Sequence, residues 1–148
     1  MTGKTIRIFL ADGEPTGILL AEISNWTGKV LVAPRSQLDQ LSKREEVRRT
    51  GVCLLVEPEP DNPSRALVYI GEGDNVLKRL LRHNKNESKD SWERTVVIVS
   101  KDENLTKSHV RYLESRLITL TYDAHRAKLT NDTAPDSIKL PEPDVADM

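Results

Sequence analysis

Two apolar stretches decide the fold of this chain: residues 51–56, GVCLLV, and residues 66–71, ALVYIG. The first is apolar enough for a central strand, and the second has the composition of its neighbour. Residues 57–64 between them are rich in proline and acids, which is typical of a loop. The pattern therefore predicts a loop over 57–64 that joins two antiparallel strands.

Downstream of this pair the predicted elements are a helix, a strand and a second helix. Residues 76–84 place their apolar side chains on one side at helical spacing, and Asp74 or Asn75 can cap this helix. Residues 95–99, TVVIV, predict a third buried strand. A long helix is expected over 106–125, with a threonine at its first position as the cap.

Upstream, residues 5–10 alternate apolar and polar side chains before a turn, which predicts a half-buried strand. Residues 30–32 predict a short strand, and residues 36–39, SQLD, resemble a capping box that opens a helix to about residue 49. The residues of this helix expected to face inward are Leu38, Leu41 and Val47.

Composition predicts a soluble protein with one compact domain. The chain has 148 residues, 37% hydrophobic and 30% charged, with no run of apolar residues long enough to span a membrane. No apolar stretch follows Lys4, so we expect no secretory signal and a cytoplasmic location. A single cysteine, Cys53, excludes an internal disulfide and a cysteine-based zinc site.

Charge is unevenly distributed along the chain. The net charge is -1, but residues 132–148 hold five acids and one base, which leaves 21 bases against 18 acids upstream. The predicted organisation is an N-terminal extension over 1–50, with strands and a helix packed on the core, a mixed α+β domain over 51–133, and a disordered acidic tail over 134–148.

The predicted helix over 76–84 carries a cluster of hydrogen-bond donors. Lys78, Arg79, Arg82 and His83 occupy one arc of it, and Arg79 and His83 are four residues apart and therefore neighbours. Such a cluster suits a phosphate group. The alternative is an ordinary solvated basic face of an amphipathic helix.

A carboxylate, Glu114, falls on the apolar face of the predicted helix over 106–125. Because burial of an unpaired carboxylate is costly, it must meet an arginine such as Arg79 or Arg111, open into a cleft, or bind a metal ion. Glutamate is a hard oxygen ligand suited to magnesium. Tyr69, taken alone, is typical of a core residue in a strand.

Taken together, these positions resemble the ordered motifs of the GIY-YIG endonuclease family, over roughly residues 51–133. The motif residues are Gly51-Val52-Cys53, Val68-Tyr69-Ile70-Gly71, Arg79, His83, Glu114 and Asn131. The resemblance implies a small, mainly antiparallel central sheet flanked by helices. It also implies a metal-dependent endonuclease that hydrolyses nucleic acid, with DNA favoured, using one Mg²⁺ or Mn²⁺ ion.

Residue roles follow from the resemblance. Glu114 would be the metal ligand, Tyr69 the general base or water-positioning group, and Arg79 the stabiliser of phosphate charge. His83 would assist proton transfer, and Asn131 would orient the site. The basic residues expected to bind nucleic acid are Lys78, Arg82 and Lys85. A tyrosine is a poor base at neutral pH unless cations lower its pKa, which Arg79, Lys78 and the metal ion could do.

The departure from the family pattern is Cys53, which stands where the family usually has the first tyrosine. A catalytically impaired nucleic-acid-binding module of the same fold is therefore the alternative function. A third possibility is a protein-interaction domain that works through its acidic tail. The N-terminal extension could add a strand to the sheet, and Trp26 could stack on a base or pack in the core.

Overall fold

The computed structural model describes residues 3–85, 92–102 and 105–131, except for the side chains of residues 63 and 83–85. The tail expected to be disordered lies outside the described residues. The described chain forms a seven-stranded sheet, in the order β1-β2-β3-β6-β4-β5-β7. The strands are β1 Ile6–Leu10, β2 Leu19–Ile23, β3 Gly28–Pro34, β4 Gly51–Glu59, β5 Asn62–Gly73, β6 Arg94–Ser100 and β7 Ala127–Leu129. The helices are α1 Leu38–Ser42, α2 Val76–Lys85 and α3 Lys107–Ala124.

The fold is mixed α+β with a mainly antiparallel sheet, as predicted. Strands β4 and β5 form the expected antiparallel pair, and β6 lies on the other side of β4, so that β4 is central. Within the described residues the one parallel pair is β5 with β7. None of the described helices is long and apolar enough to cross a membrane.

The N-terminal extension is part of the same sheet, because β3 pairs with β6 from Gly28 to Pro34. It adds three strands to the sheet, of which β1 and β3 correspond to the strands predicted over residues 5–10 and 30–32. Strand β2 was not predicted. It pairs with β1 on one side and with β3 on the other.

Successive side chains of β4 point to opposite faces of the sheet, and the hydrophobic core accordingly has two parts, one on each face. Cys53 and Leu55 join the cluster that packs against α1 and α2, whereas Val52 joins the cluster against α3. Every second residue of a strand points to the same face, so helices cover both faces. The helices over 76–84 and 106–125 form with nearly the predicted bounds, and the side chains of Asn75 and Thr106 cap them.

The continuous helix predicted over 36–49 is wrong. The chain forms a 3-10 turn at Arg35–Gln37, the short helix α1, and a second 3-10 turn at Glu45–Arg48. Leu41 and Val47 are both fully buried, yet on one helix they would point about 120° apart. The chain therefore breaks at Arg44, whose backbone is extended, and brings both side chains inward.

The loop predicted over 57–64 is also wrong in its length, because β4 continues to Glu59 and β5 begins at Asn62. Pro58 lies inside β4, opposite Ala66. Strand β6 begins at Arg94, opposite Val56, so the missing N–H of Pro58 falls where no described strand pairs with β4 on that side. Proline is tolerated at such edge positions.

Candidate functional site

The candidate site lies at the edge of β5 beyond β7, where β5 pairs with no further described strand on that side. Strand β7 pairs with β5 only as far as Val68. Beyond it the chain continues along the same edge: the Thr130 amide donates to the Val68 carbonyl at 2.9 Å. The Asn131 side chain then accepts from the Ile70 amide at 3.1 Å and donates to the Ile70 carbonyl at 2.7 Å.

Asn131 thus replaces a strand neighbour for one residue of β5. Its amide group satisfies both backbone groups of Ile70, which stands between Tyr69 and Gly71 in the chain. This contact fixes the backbone of the residue next to Tyr69.

Tyr69 and Arg79 are brought together, as the resemblance implied. The Arg79 guanidinium donates to the Tyr69 hydroxyl at 2.5 Å, and its carbon lies 5.9 Å from the centre of the phenol ring. Tyr69 is 8% exposed, and Arg79 is half-buried above it. The buried Nε of Arg79 has no hydrogen-bond partner within the described part of the chain.

Gly71 leaves room for this close pairing. A Cβ atom at this position would lie 3.0 Å from Arg79 Nε and 3.0 Å from Tyr69 Cε1. Any other residue would push the guanidinium or the ring away, since real Cβ contacts are rarely this short. The glycine of the Tyr-Ile-Gly motif therefore allows the Arg79 side chain to lie directly against β5.

Glu114 reaches the same edge of β5 from α3. It is half-buried, and no salt bridge joins it to another described residue. The ion pair with Arg79 or Arg111, one of the sequence-based alternatives, is thus not formed. Burial raises the pKa of Glu114, and the carboxylate of Glu72 raises it further.

Three groups oppose this rise in the Glu114 pKa: Arg79, the backbone amide of Glu72 and Lys107. Glu72 is the next residue of β5 whose backbone points away from β4, after Val68 and Ile70. Its side chain pairs with Lys107 at 2.7 Å. Two carboxylates and two cations therefore share the site.

Arg79 acts on the pKa of Tyr69 in the direction considered from the sequence, but it does not lower the pKa below the ordinary value. Burial raises the pKa of the Tyr69 phenol, and this effect exceeds the opposing effect of Arg79. The phenol is therefore neutral at neutral pH. A neutral phenol can position a water molecule or a phosphate oxygen by hydrogen bonding, but it is a weak base.

Cys53 lies opposite Gly71 in the β4–β5 ladder and is completely buried. Burial raises the pKa of its thiol to about 12. The thiol is thus a neutral core group, and it has none of the chemistry that a tyrosine hydroxyl would supply at this position.

The expected basic group on α2 is described in part. Lys78 and Arg82 are exposed, with their backbones in the helix. The backbones of His83 and Lys85 belong to α2 as well, one helical turn and more beyond Arg79, but the predictions for their side chains lie outside the described residues.

Sequence reasoning missed Glu72 and Lys107. The position of Glu72 could have been found from the alternation of side chains along β5. Val68 and Ile70 face α3, and Glu72 is two residues after Ile70, so its side chain lies on the same face. Lys107 had no such signal, because it is one of several exposed cations on α3.

The donor set fits a divalent ion held by few protein ligands. No three His, Cys, Asp or Glu side chains cluster within residues 3–85, 92–102 and 105–131. Magnesium commonly takes one or two carboxylates and completes its shell with water and substrate phosphate. Glu114, half-buried and without an ion pair among these residues, has the chemistry that such a ligand needs.

Comparison of the chain with models of protein families, with curated proteins and with solved structures finds no match.

Proposed function

We propose that this protein is a GIY-YIG-type, metal-dependent endonuclease that hydrolyses phosphodiester bonds of nucleic acid, with DNA as the favoured substrate. The observation that carries the proposal is the pair of Tyr69 and Arg79, seated on Gly71 and within electrostatic reach of Glu114. Phenol, guanidinium and carboxylate are the groups that the resemblance requires in one place.

Arg79 is proposed to bind the scissile phosphate. A guanidinium has five donors in a planar fork, and the bond to Tyr69 uses one of them. The other donors on its two terminal nitrogens can meet the negative charge that develops on the phosphate oxygens as the bond breaks. Lys78 and Arg82, exposed on the same helix, would contact neighbouring phosphates of the strand.

Tyr69 is proposed to position rather than to deprotonate. Its raised pKa keeps the phenol protonated at neutral pH, so its hydroxyl can donate to a water or a phosphate oxygen while its own oxygen accepts from Arg79. Asn131 would act through the backbone of Ile70, as a positioning residue rather than a catalytic one.

Glu114 is proposed to hold the Mg²⁺ or Mn²⁺ ion. A bound divalent ion would polarise the phosphate and favour departure of the leaving oxygen. A cation would also relieve the repulsion between Glu114 and Glu72 that contributes to the raised pKa of Glu114. Lys107 keeps Glu72 in place at 2.7 Å, so that Glu114 is the carboxylate left for the ion.

One observation favours a second candidate function, a nucleic-acid-binding module without cleavage. Cys53 is fully buried with a pKa of about 12, and thus contributes nothing to the activation of water. If the family's chemistry needs a hydroxyl at this position, the basic face of α2 would still bind nucleic acid in a salt-dependent manner.

The test is cleavage of labelled single-stranded, duplex and branched DNA and RNA, with Mg²⁺, Mn²⁺ or a chelator. The variants are Glu114→Gln and Arg79→Ala, each with a matched exposed control on α3, Asp123→Asn and Arg116→Ala. We expect each site variant to lose at least about 100-fold in rate, and each control to keep the wild-type rate.

Binding of the same substrates, measured by fluorescence anisotropy over a range of salt concentrations, separates the two functions. Metal-dependent cutting that disappears in both site variants supports the endonuclease. Binding by the wild type that Arg79→Ala weakens, with no cutting in any metal, supports the binding module. A wild-type protein that neither binds nor cuts any substrate of the panel would reject both.

A further inference from the structure

The outer strand of the sheet, β1, is apolar and uncovered. Ile6 is 63% exposed, and Ile8 and Phe9 are each 59% exposed. Strand β1 pairs with β2 on one side and with no other described strand. An exposed apolar edge strand invites pairing with another chain.

The two edges of the sheet differ in how they are protected. Strand β7, at the other edge, has three residues, Ala127–Leu129, and its central Lys128 is exposed. Short strands and charged residues of this kind discourage pairing. Strand β1 has five residues, IRIFL, with neither proline nor an acid, and its one charge is Arg7.

The hydrogen bonds to β2 fix which backbone groups of β1 face outward. The Ser24 amide donates to the Thr5 carbonyl at 3.0 Å, and the Ala11 amide donates to the Ile18 carbonyl at 3.0 Å. Because bonded residues alternate along an antiparallel edge, the odd-numbered residues of β1 bond to β2. The amides and carbonyls of the even-numbered residues, Ile6, Ile8 and Leu10, therefore point away from the sheet.

We propose that β1 pairs antiparallel with β1 of a second copy of this chain, about a two-fold axis at Ile8. This register places Ile8 opposite Ile8 of the second copy, and Ile6 opposite its Leu10. All outward-facing amides and carbonyls between Ile6 and Leu10 then find partners across the axis. The two sheets join into one, and the interface is the same patch on both copies.

The side chains select this register over its neighbours. It sets Arg7 opposite Phe9 of the second copy in a non-hydrogen-bonded pair, in which side chains approach closely and a guanidinium can lie against an aromatic ring. An axis at Arg7 would instead oppose two guanidiniums. An axis at Phe9 would leave Ile6 beyond the end of the opposing strand.

Charge beyond the strand agrees with the same register. If the pairing register continues past the ends of the two strands, Lys4 of one copy lies opposite Asp12 of the other. Both residues are exposed. The sequence from Lys4 to Asp12 is thus complementary to itself in antiparallel orientation, in its apolar residues and in its charges. This complementarity is the reason to name a second copy as the occupant of the edge.

The test uses single cysteines in the full chain under mild oxidation. In the proposed register, Ile8→Cys puts two thiols in directly opposed positions, with Cα atoms about 5.5 Å apart, within the range of a disulfide. The matched control is Ile6→Cys, equally exposed and on the same face. Its two thiols would be about 13 Å apart. The native thiol of Cys53 is completely buried, so we expect no cross-link through it.

We expect Ile8→Cys to form a covalent dimer on non-reducing gels and Ile6→Cys to remain a single chain. The wild type should sediment as two chains at high concentration and as one on dilution. Ile8→Lys should lose the dimer by opposing two charges at the axis, and an equal mixture with Ile8→Glu should regain it. A wild type that stays a single chain at its highest soluble concentration would overturn the proposal. Equal cross-linking of both cysteine variants would overturn the register.

Discussion

Removal of the Asn131 side chain isolates the contact that completes the edge of β5. Asn131→Ala deletes two hydrogen bonds, at 3.1 and 2.7 Å, and leaves the amide and carbonyl of Ile70 without them. A net contribution of about 1 kcal/mol for each bond gives a loss of about 2 kcal/mol in the free energy of unfolding. For a chain of this size, that corresponds to a fall of roughly 4–8 °C in Tm.

Asn131→Asp tests the same contact by its dependence on pH. The ionised carboxylate can still accept from the Ile70 amide, but it faces the Ile70 carbonyl without a proton to donate. The protonated form has one acceptor and one donor, as the amide does. The folded state thus favours the protonated form, so the pKa of the introduced carboxyl is raised. Its stabilising contribution is present below the unfolded value of about 3.9 and is lost as pH rises through the folded value.

The assay is urea unfolding, followed by circular dichroism, of the wild type and both variants between pH 3.5 and 7. We expect Asn131→Ala to stay about 2 kcal/mol below the wild type throughout, whereas the deficit of Asn131→Asp shrinks as the pH falls. An alanine variant within about 0.5 kcal/mol of the wild type would refute the reasoning, since that is the spread of ordinary surface substitutions. A stability deficit of Asn131→Asp that does not change with pH would refute it as well.

Four further predictions concern single groups. Burial alone would raise the pKa of Glu46, but ion pairs lower it below its ordinary value. The ionised side chain therefore stabilises the fold above pH 4.5, and this contribution is lost as the pH falls. In pH-dependent urea unfolding, Glu46→Gln should lose part of the acid sensitivity of the wild type. The pKa of Glu114 is raised, so its ionisation destabilises the fold as pH rises above 4.5; Glu114→Gln should therefore raise the urea midpoint at pH 7 without metal while it removes cleavage. Gly71→Ala should slow cleavage at least about tenfold with unchanged circular dichroism, whereas Gly73→Ala, whose nearest contact would be 3.4 Å, should slow it far less. The thiol of Cys53, buried with a pKa of about 12, should react with a thiol reagent only in denaturant; labelling of the native protein at the rate of a free thiol would contradict this.

The elements with strong local patterns could be predicted from the sequence. Strands β4 and β6 are continuous apolar runs, and α2 and α3 have both a cap and an apolar face. Strand β2 could not be predicted in this way. Its residues, LLAEI, include good helix formers, and it is a strand because β1 and β3 pair with it on both sides.

The sequence predicts which residues form the candidate site better than it predicts how their pKa values are shifted. Tyr69 and Arg79 meet because a strand and the following helix place them there. The direction of the Tyr69 pKa shift depends on depth of burial, which no local pattern reveals. The role of Asn131 depends on where β7 stops beside β5, and this is set by pairing between segments far apart in the chain.

The alternation along β5 also predicts where this chain can change length in evolution. Tyr69 and Glu72 point to opposite faces of the sheet, and the backbone of Ile70 between them is bonded to the Asn131 side chain. An insertion or deletion of one residue here would exchange the faces and separate the site's components. The turn between β4 and β5, by contrast, lies more than five residues before Tyr69, where length changes leave this arrangement intact. Among homologues, insertions should therefore accumulate in that turn and be absent between Tyr69 and Glu72.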